Sequence, residues 1–104
     1  MRDDRMTLEE IEQTASYALD VFGYECQILK CAQECAEAAA ALLKFHERGD
    51  IRDRDHAAEE IADVLLSITS AQQVIGVDLV AAWLQTKAVR LSARIDSELD
   101  RIGK

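Results

Sequence analysis

The chain has 104 residues, of which 12 are Lys or Arg and 20 are Asp or Glu, so its formal net charge is −8. This acidic balance opposes non-specific attraction to nucleic acid and to anionic lipid, and we expect neither as a partner. The length suits one folding unit, and we predict a single domain over residues 1–104.

Helix-forming residues dominate a sequence that has no proline and only four glycines, which predicts an all-α protein. No apolar run is longer than that from Ala38 to Leu43, which is far shorter than the roughly 20 residues that cross a bilayer, so no membrane partner is expected. The odd number of cysteines, close together in one predicted helix, favours a reducing cytoplasm over a disulfide framework.

The first predicted helix begins at Thr7, which has capping-box spacing with Glu10, and Gly23 ends or kinks it. The second predicted helix runs from about Tyr24 to Arg48 and is closed by Gly49. Apolar residues at intervals of three and four predict that its buried seam comprises Ile28, Cys31, Cys35, Ala38, Leu42 and Phe45.

The third predicted helix follows a charged turn over residues 50–53 and spans about Arg54 to Ile75. Its predicted buried residues are Ile61, Val64, Leu65 and Ile68. The last helix is predicted to start with Asp78 as its N-cap and to continue to about Ile102. Short turns between three long helices predict an antiparallel helix bundle with the shorter N-terminal helix alongside. Because a chain this small gains from burying more apolar surface, we expect a homodimer or homotetramer to complete the bundle.

Two acidic motifs carry the most information about function. Glu34 and Glu37 lie three residues apart on the second predicted helix, and Glu60 and Asp63 lie three apart on the third. Residues at this spacing are neighbours on one face of a helix. Both pairs border the predicted apolar seam, so they can face each other across it. Their mutual repulsion then requires cations or protonation, and hard oxygen ligands select Mg²⁺, Mn²⁺ or Ca²⁺ rather than zinc.

A simpler explanation of each pair is also open. Carboxylates three apart are abundant on helices, and Glu34 could pair with Lys30 on a solvated face. One such pair would indicate nothing more. Two pairs on consecutive antiparallel helices favour a shared metal site.

The paired motifs resemble the signature of the MazG-like all-α nucleoside triphosphate pyrophosphohydrolases, which is E-x-x-E followed after a helical hairpin by E-x-x-D. The resemblance covers roughly Tyr24 to Arg94. Family members often carry an acidic residue just before each motif; Glu59 matches the second, whereas Gln33 departs from the first.

The resemblance implies Mg²⁺-dependent hydrolysis of a nucleoside triphosphate, between the α and β phosphates, to the monophosphate and pyrophosphate, with Mn²⁺ as a possible substitute. It also implies that the four motif acids are metal ligands. Glu34 or Glu37 is then the better candidate to orient the attacking water or accept its proton, and the sequence leaves the choice between them open. Base and sugar preference are also left open.

Several other residues are candidates for substrate binding. Lys87, Arg90 and Arg94 recur at intervals of three and four on the last predicted helix, so they can contact a triphosphate or make ordinary salt bridges. Trp83 precedes Lys87 by one turn and could stack on a base, although packing is the commoner role of tryptophan. Gln27 could line the pocket. His46 and His56 flank the interhelical turn, and we expect both to be surface residues away from the acidic motifs.

Two other functions fit the same sequence. One is a non-catalytic helical dimerisation or adaptor module, in which the charges set helix register through ion pairs. The other is a degenerate homologue that binds nucleotide without hydrolysing it. A response of thermal stability to Mg²⁺ separates a metal site from an adaptor.

Overall fold

The computed structural model describes residues 5–103, so the first four residues and the last residue of the predicted domain lie outside the described part. The described residues form four α-helices and no strand: α1 (Leu8–Phe22), α2 (Tyr24–Arg48), α3 (Ile51–Ile75) and α4 (Val77–Ile102). The prediction of an all-α protein is confirmed. Within residues 5–103 no single helix has both the length and the apolar composition to cross a bilayer, and only α3 and α4 taken together pass that test.

The chain divides into two compact units, Met1–Val74 and Ile75–Lys104. The first unit contains α1, α2 and nearly all of α3. Gln27, near the start of α2, donates a hydrogen bond to Ser70, near the end of α3, so these two helices run antiparallel as predicted. The second unit consists mainly of α4. Its place in the predicted bundle and the predicted oligomer both stay predictions.

The ends of α1 and α2 follow the predicted capping signals. The Thr7 hydroxyl accepts a hydrogen bond from the Glu10 backbone N–H, and the Glu10 carboxylate accepts one from the Thr7 N–H. This reciprocal pair is the predicted capping box. Gly49 ends α2 in the left-handed conformation at φ +65°, which glycine adopts without a steric penalty.

Two helices begin earlier than predicted. The α3 helix starts at Ile51 rather than near Arg54, because the Asp50 carboxylate accepts a hydrogen bond from the Arg52 N–H and so satisfies an N-terminal backbone group. The α4 helix starts at Val77, and its N-cap is Gly76 rather than the predicted Asp78. Asp78 lies in the first turn, where a carboxylate still interacts favourably with the positive end of the helix dipole.

The buried seam also differs from the predicted one. In α2 the predicted Cys35 and Leu42 are exposed, and the buried residues are Gln27, Cys31, Glu34, Ala38 and Ala41. In α3 the predicted Ile61 and Leu65 are exposed, and the buried residues are Asp53, Ala57, Glu60, Ser67 and Ser70. Both buried sets recur mainly at intervals of three and four, so each is one face of its helix. The helices of the first unit therefore meet through small and polar side chains.

Candidate metal centre

Three of the four predicted metal ligands converge between α2 and α3. Glu34, Glu37 and Glu60 each place one carboxylate oxygen so that all three atoms lie within 4.8 Å of one another. Two ligand atoms that bind one ion at about 2.1 Å can be at most about 4.2 Å apart, so side-chain shifts of a few tenths of an ångström suffice for a shared ion. All donors are carboxylate oxygens, which suit Mg²⁺ or Mn²⁺.

Burial makes this cluster unlike an ordinary group of surface acids. Glu34 is 5% exposed and Glu60 is 8% exposed, and each lies in the seam itself rather than beside it as predicted. The Oε2 atoms of both residues are buried and have no hydrogen-bond partner. Because buried polar atoms are nearly always paired, two unpartnered oxygens in one place indicate a missing cation or donor. The residues present therefore fit a hard divalent ion.

A lysine side chain contacts the buried cluster directly. The Lys30 ammonium lies 3.0 Å from Oε1 of Glu34, one helical turn away. Its hydrogen bond to Glu34 and the negative charge of that residue raise the pKa of Lys30 above its ordinary value. The pairing that the sequence analysis left open thus exists. It does not lie on a solvated face, however, because the Glu34 side chain is only 6% exposed.

The electrostatic environment of Glu60 disfavours its charged form. Burial raises the pKa of this carboxyl above its ordinary value, and the negative charge of Glu37 raises it further. His56 acts in the opposite direction, by a smaller amount than these two. A carboxylate with a raised pKa is stabilised in its charged form by a bound cation.

Asp63, the fourth predicted ligand, does not belong to the closest group. It is half-buried and lines a neighbouring cavity of about 260 Å³ together with Lys30 and Glu34. The other residues lining this cavity are Thr14, Ala15, Ala18, Phe22, Gln27, Leu66 and Ser67. Asp63 thus borders the centre on one side, and its role as a ligand stays a prediction.

Gln27 has a structural role that the sequence did not reveal. It is buried, and its side-chain amide donates a hydrogen bond to the Ser70 hydroxyl at 3.3 Å. That hydroxyl in turn donates to the Ala15 carbonyl at 2.8 Å. This chain of hydrogen bonds joins α1, α2 and α3 next to the cavity. Gln27 lines the cavity as well, so its predicted contact with substrate stays open.

His56 lies at the centre rather than away from it, and the expectation that it is remote was wrong. Its Nε2 atom is 3.8 Å from Oε1 of Glu60. The spacing of four residues places the two side chains on one helix face, and this spacing was visible in the sequence. Both residues also lie within the predicted third helix, so the helix period alone could have revealed this contact.

The remaining predicted substrate ligands lie on α4, in the second unit. Lys87, Arg90 and Arg94 are exposed along this helix, and Trp83 is also exposed. Arg94 lines a shallow cavity on α4 itself with Leu91, Ile95, Ser97 and Glu98. The predicted contacts of these four residues with a nucleotide stay predictions.

Comparison of the chain with protein-family models, curated protein sequences and solved structures gives no match. The resemblance to the MazG-like family therefore depends on the motifs of the sequence and their helical setting.

Proposed function

We propose that this protein is a Mg²⁺-dependent nucleoside triphosphate pyrophosphohydrolase of the MazG-like kind. One observation carries the proposal: Glu34, Glu37 and Glu60, from two antiparallel helices, bring their oxygens within 4.8 Å, and two of those residues have buried oxygens without a partner. An ordinary ion-pair network would give each buried oxygen a donor. A site for a divalent ion explains both features, and the spacing of the motifs then favours phosphate chemistry.

A bound divalent ion would neutralise charge on phosphate oxygens and activate water. In the reaction, a water oxygen bonds to phosphorus, the bond between that phosphorus and the α–β bridging oxygen breaks, and pyrophosphate and the monophosphate separate. Glu37 is the better candidate to accept the proton of the water because it is exposed. Glu34 is buried and pairs with Lys30, so its role is to hold the ion.

Cations of the chain supply the contacts to phosphate. Lys30 lies beside the cluster, and its side chain is 57% exposed, so it can turn from Glu34 to a phosphate oxygen. Lys87, Arg90 and Arg94 on α4 are the further candidates. Such contacts are needed because the net charge of −8 opposes binding of a polyanion.

The proposal includes a second copy of the chain as partner, in a homodimer or homotetramer. Among the described residues the buried apolar side chains are only alanines and Cys31, so the first unit lacks a core of large apolar residues. An apolar groove of about 760 Å³ lies between α1 and α3, lined among others by Leu8, Ile11, Leu65 and Leu66. A second copy brings an equally apolar surface, and self-complementary contacts of this kind build symmetric dimers.

The direct test is a panel of nucleoside and deoxynucleoside triphosphates with Mg²⁺ or Mn²⁺, with pyrophosphate release as the readout. We expect hydrolysis of at least one of them by the wild-type chain. Glu37→Gln and Glu60→Gln should lower kcat at least about a hundredfold, because they remove the proton acceptor and a ligand. Glu47→Gln, at an exposed position of α2, is the matched control. Equal activity in all four proteins would contradict the proposed site.

Thermal melting separates the alternatives that the sequence left open. A four-carboxylate site predicts that Mg²⁺ raises Tm in the wild type and raises it less in Glu60→Gln. An adaptor module predicts no response to Mg²⁺ in either protein. A degenerate homologue predicts stabilisation by Mg²⁺ and nucleotide without any release of pyrophosphate.

A further inference from the structure

The apolar groove between α1 and α3 adjoins the cavity beside the metal group. Thr14, Ala15 and Leu66 line both spaces. The cavity is also lined by Glu34, which belongs to the metal group. Among the described residues that line the groove, only Glu12 is charged. A helix that fills this groove therefore lies next to the metal group.

The α4 helix has an apolar stripe with a basic edge. Leu84 in this stripe is 68% exposed, and no residue of α4 is buried within the chain. Lys87 and Arg94 each follow a leucine of the stripe by three residues, so both lie along the same edge. A continuous exposed apolar surface of this kind is typical of a protein interface. The stripe comprises Val80, Leu84, Ala88, Leu91 and Ile95.

The charges of the groove and of the stripe are complementary. Residues 1–74 contain 16 of the 20 acidic residues and 7 of the 12 basic residues, so the first unit has a net charge of −9. Glu12 lines the groove, and Asp63 follows the groove residue Ala62 in the chain. Between Leu79 and Ile95, by contrast, α4 has three basic residues and no acidic one. An apolar helix with a basic edge therefore matches an apolar groove with acidic borders.

The first unit supplies little positive charge for the phosphates of a substrate. Among the described residues that line the cavity, only Lys30 is basic, and its ammonium pairs with Glu34 at 3.0 Å. Lys87 and Arg90 are exposed on α4. A helix in the groove that carries these two residues would add the missing charge beside the metal group.

We propose that α4 of a second copy lies in this groove and brings Lys87 and Arg90 to the substrate of the first copy, so that two copies complete each site. The inference rests on the proposed function, because it assigns these two residues to that substrate. The stripe is exposed within a single chain, whereas a two-fold dimer covers two stripes and two grooves by the same contact. Hydrolysis then depends on association of the copies as well as on metal.

The first test combines two defective variants in one dimer. Glu60→Gln lacks a metal ligand, and the double substitution Lys87→Met with Arg90→Met lacks the phosphate contacts. The two chains are co-expressed with different affinity tags, and the mixed dimer is isolated with both tags. One of its two sites then combines an intact first unit with the intact α4 of the other copy. We expect kcat/KM of about half the wild-type value, whereas each variant alone falls about a hundredfold or more.

Sedimentation over a range of concentrations tests the contact without reference to activity. Leu84→Glu should raise the dissociation constant of the oligomer about ten- to a hundredfold, because it places a charge in the stripe and removes a leucine that would be buried. Gln85→Glu is the matched control, since it adds the same charge at an exposed position outside the stripe and should leave association unchanged. Circular dichroism checks that each variant keeps its helices.

The outcomes separate this contact from the proposed function. An inactive mixed dimer beside an active wild type would overturn the contact and leave the proposed function standing, and so would unchanged association of Leu84→Glu. A monomeric wild type would also overturn the contact. If that monomer bound phosphatidylglycerol vesicles, and Leu84→Glu did not, the stripe would be assigned to a lipid surface instead. A wild type that releases no pyrophosphate from any triphosphate would overturn the proposed function and the substrate role of α4 together.

Discussion

The ammonium of Lys30 lies 3.0 Å from Oε1 of Glu34, so the most deeply buried carboxylate of the cluster is paired with a side chain that is itself 57% exposed. When this ion pair opens, the exposed ammonium remains in contact with water. The buried carboxylate keeps a counter-charge if another cation takes the place of the ammonium. Lys30 and a divalent ion therefore compete for Glu34.

We expect Lys30→Met to bind Mn²⁺ about two- to fivefold more tightly than the wild type, because the competing ammonium is removed. The metal-free variant should also melt at a lower temperature, since Glu34 loses its partner. Calorimetric titration measures the first effect and thermal melting the second. Lys44→Met is the control, because Lys44 lines the cavity beside Glu60 and removing it changes the charge without breaking a contact with Glu34. Equal effects of the two substitutions would show that the contact does not matter.

Ser70 is the centre of the hydrogen-bond chain that joins the three helices of the first unit. It is 0% exposed, accepts from Gln27 and donates to the Ala15 carbonyl. Ser70→Ala should lower the free energy of unfolding by about 1 to 3 kcal/mol, because it leaves the buried Gln27 amide without its acceptor and removes the hydrogen bond that ties α3 to the Ala15 carbonyl. Urea unfolding measures the change. Ser92→Ala, at an exposed position of α4, should change stability little; a cost as large as that of Ser70→Ala would contradict the argument.

The exposed apolar face of α3 should mediate self-association. Leu65 is 63% exposed and lines the apolar groove between α1 and α3. Leu65→Glu places a charge in the proposed interface and removes one leucine that would be buried there. We therefore expect the dissociation constant of the oligomer to rise about ten- to a hundredfold. Sedimentation analysis over a range of concentrations measures it. Arg52→Gln, on a different face of α3, makes the same change in net charge. An unchanged oligomer in Leu65→Glu would place the interface elsewhere.

The basic residues of α4 should act on substrate rather than on metal. Lys87→Met and Arg90→Met should each raise KM for the triphosphate about tenfold or more, because each removes a charge-assisted contact with phosphate. Mn²⁺ affinity should stay at the wild-type value in both. Arg101, which pairs with Glu98 on the same helix, provides the control substitution Arg101→Gln. If KM is unaffected by Lys87→Met and Arg90→Met, these residues do not contact the substrate.

Local rules gave most of the secondary structure. The capping box of Thr7 and Glu10 and the glycines that end α1 and α2 could be read from the sequence, because each signal acts within a few residues of the backbone groups that it satisfies. Two starts were misplaced: α3 begins at Ile51, where the Asp50 carboxylate accepts from the Arg52 N–H, and α4 begins at Val77, after Gly76, which provides no side-chain cap. Spacing alone also placed the two acidic pairs on consecutive helices.

The sequence by itself thus determined an all-helical chain with two acidic pairs on neighbouring helices. Only the tertiary structure decided which helix faces meet. Periodicity favoured Ile61 and Leu65 as core residues, yet α2 and α3 approach each other through alanine, serine and glutamate, which leaves those large side chains outside. The same choice of face buries Glu34 and Glu60 and brings His56 to the cluster. When a helix has more than one apolar or small face, its sequence does not specify which face packs against the neighbouring helix. The choice of face depends on the shape of the surface of that neighbour.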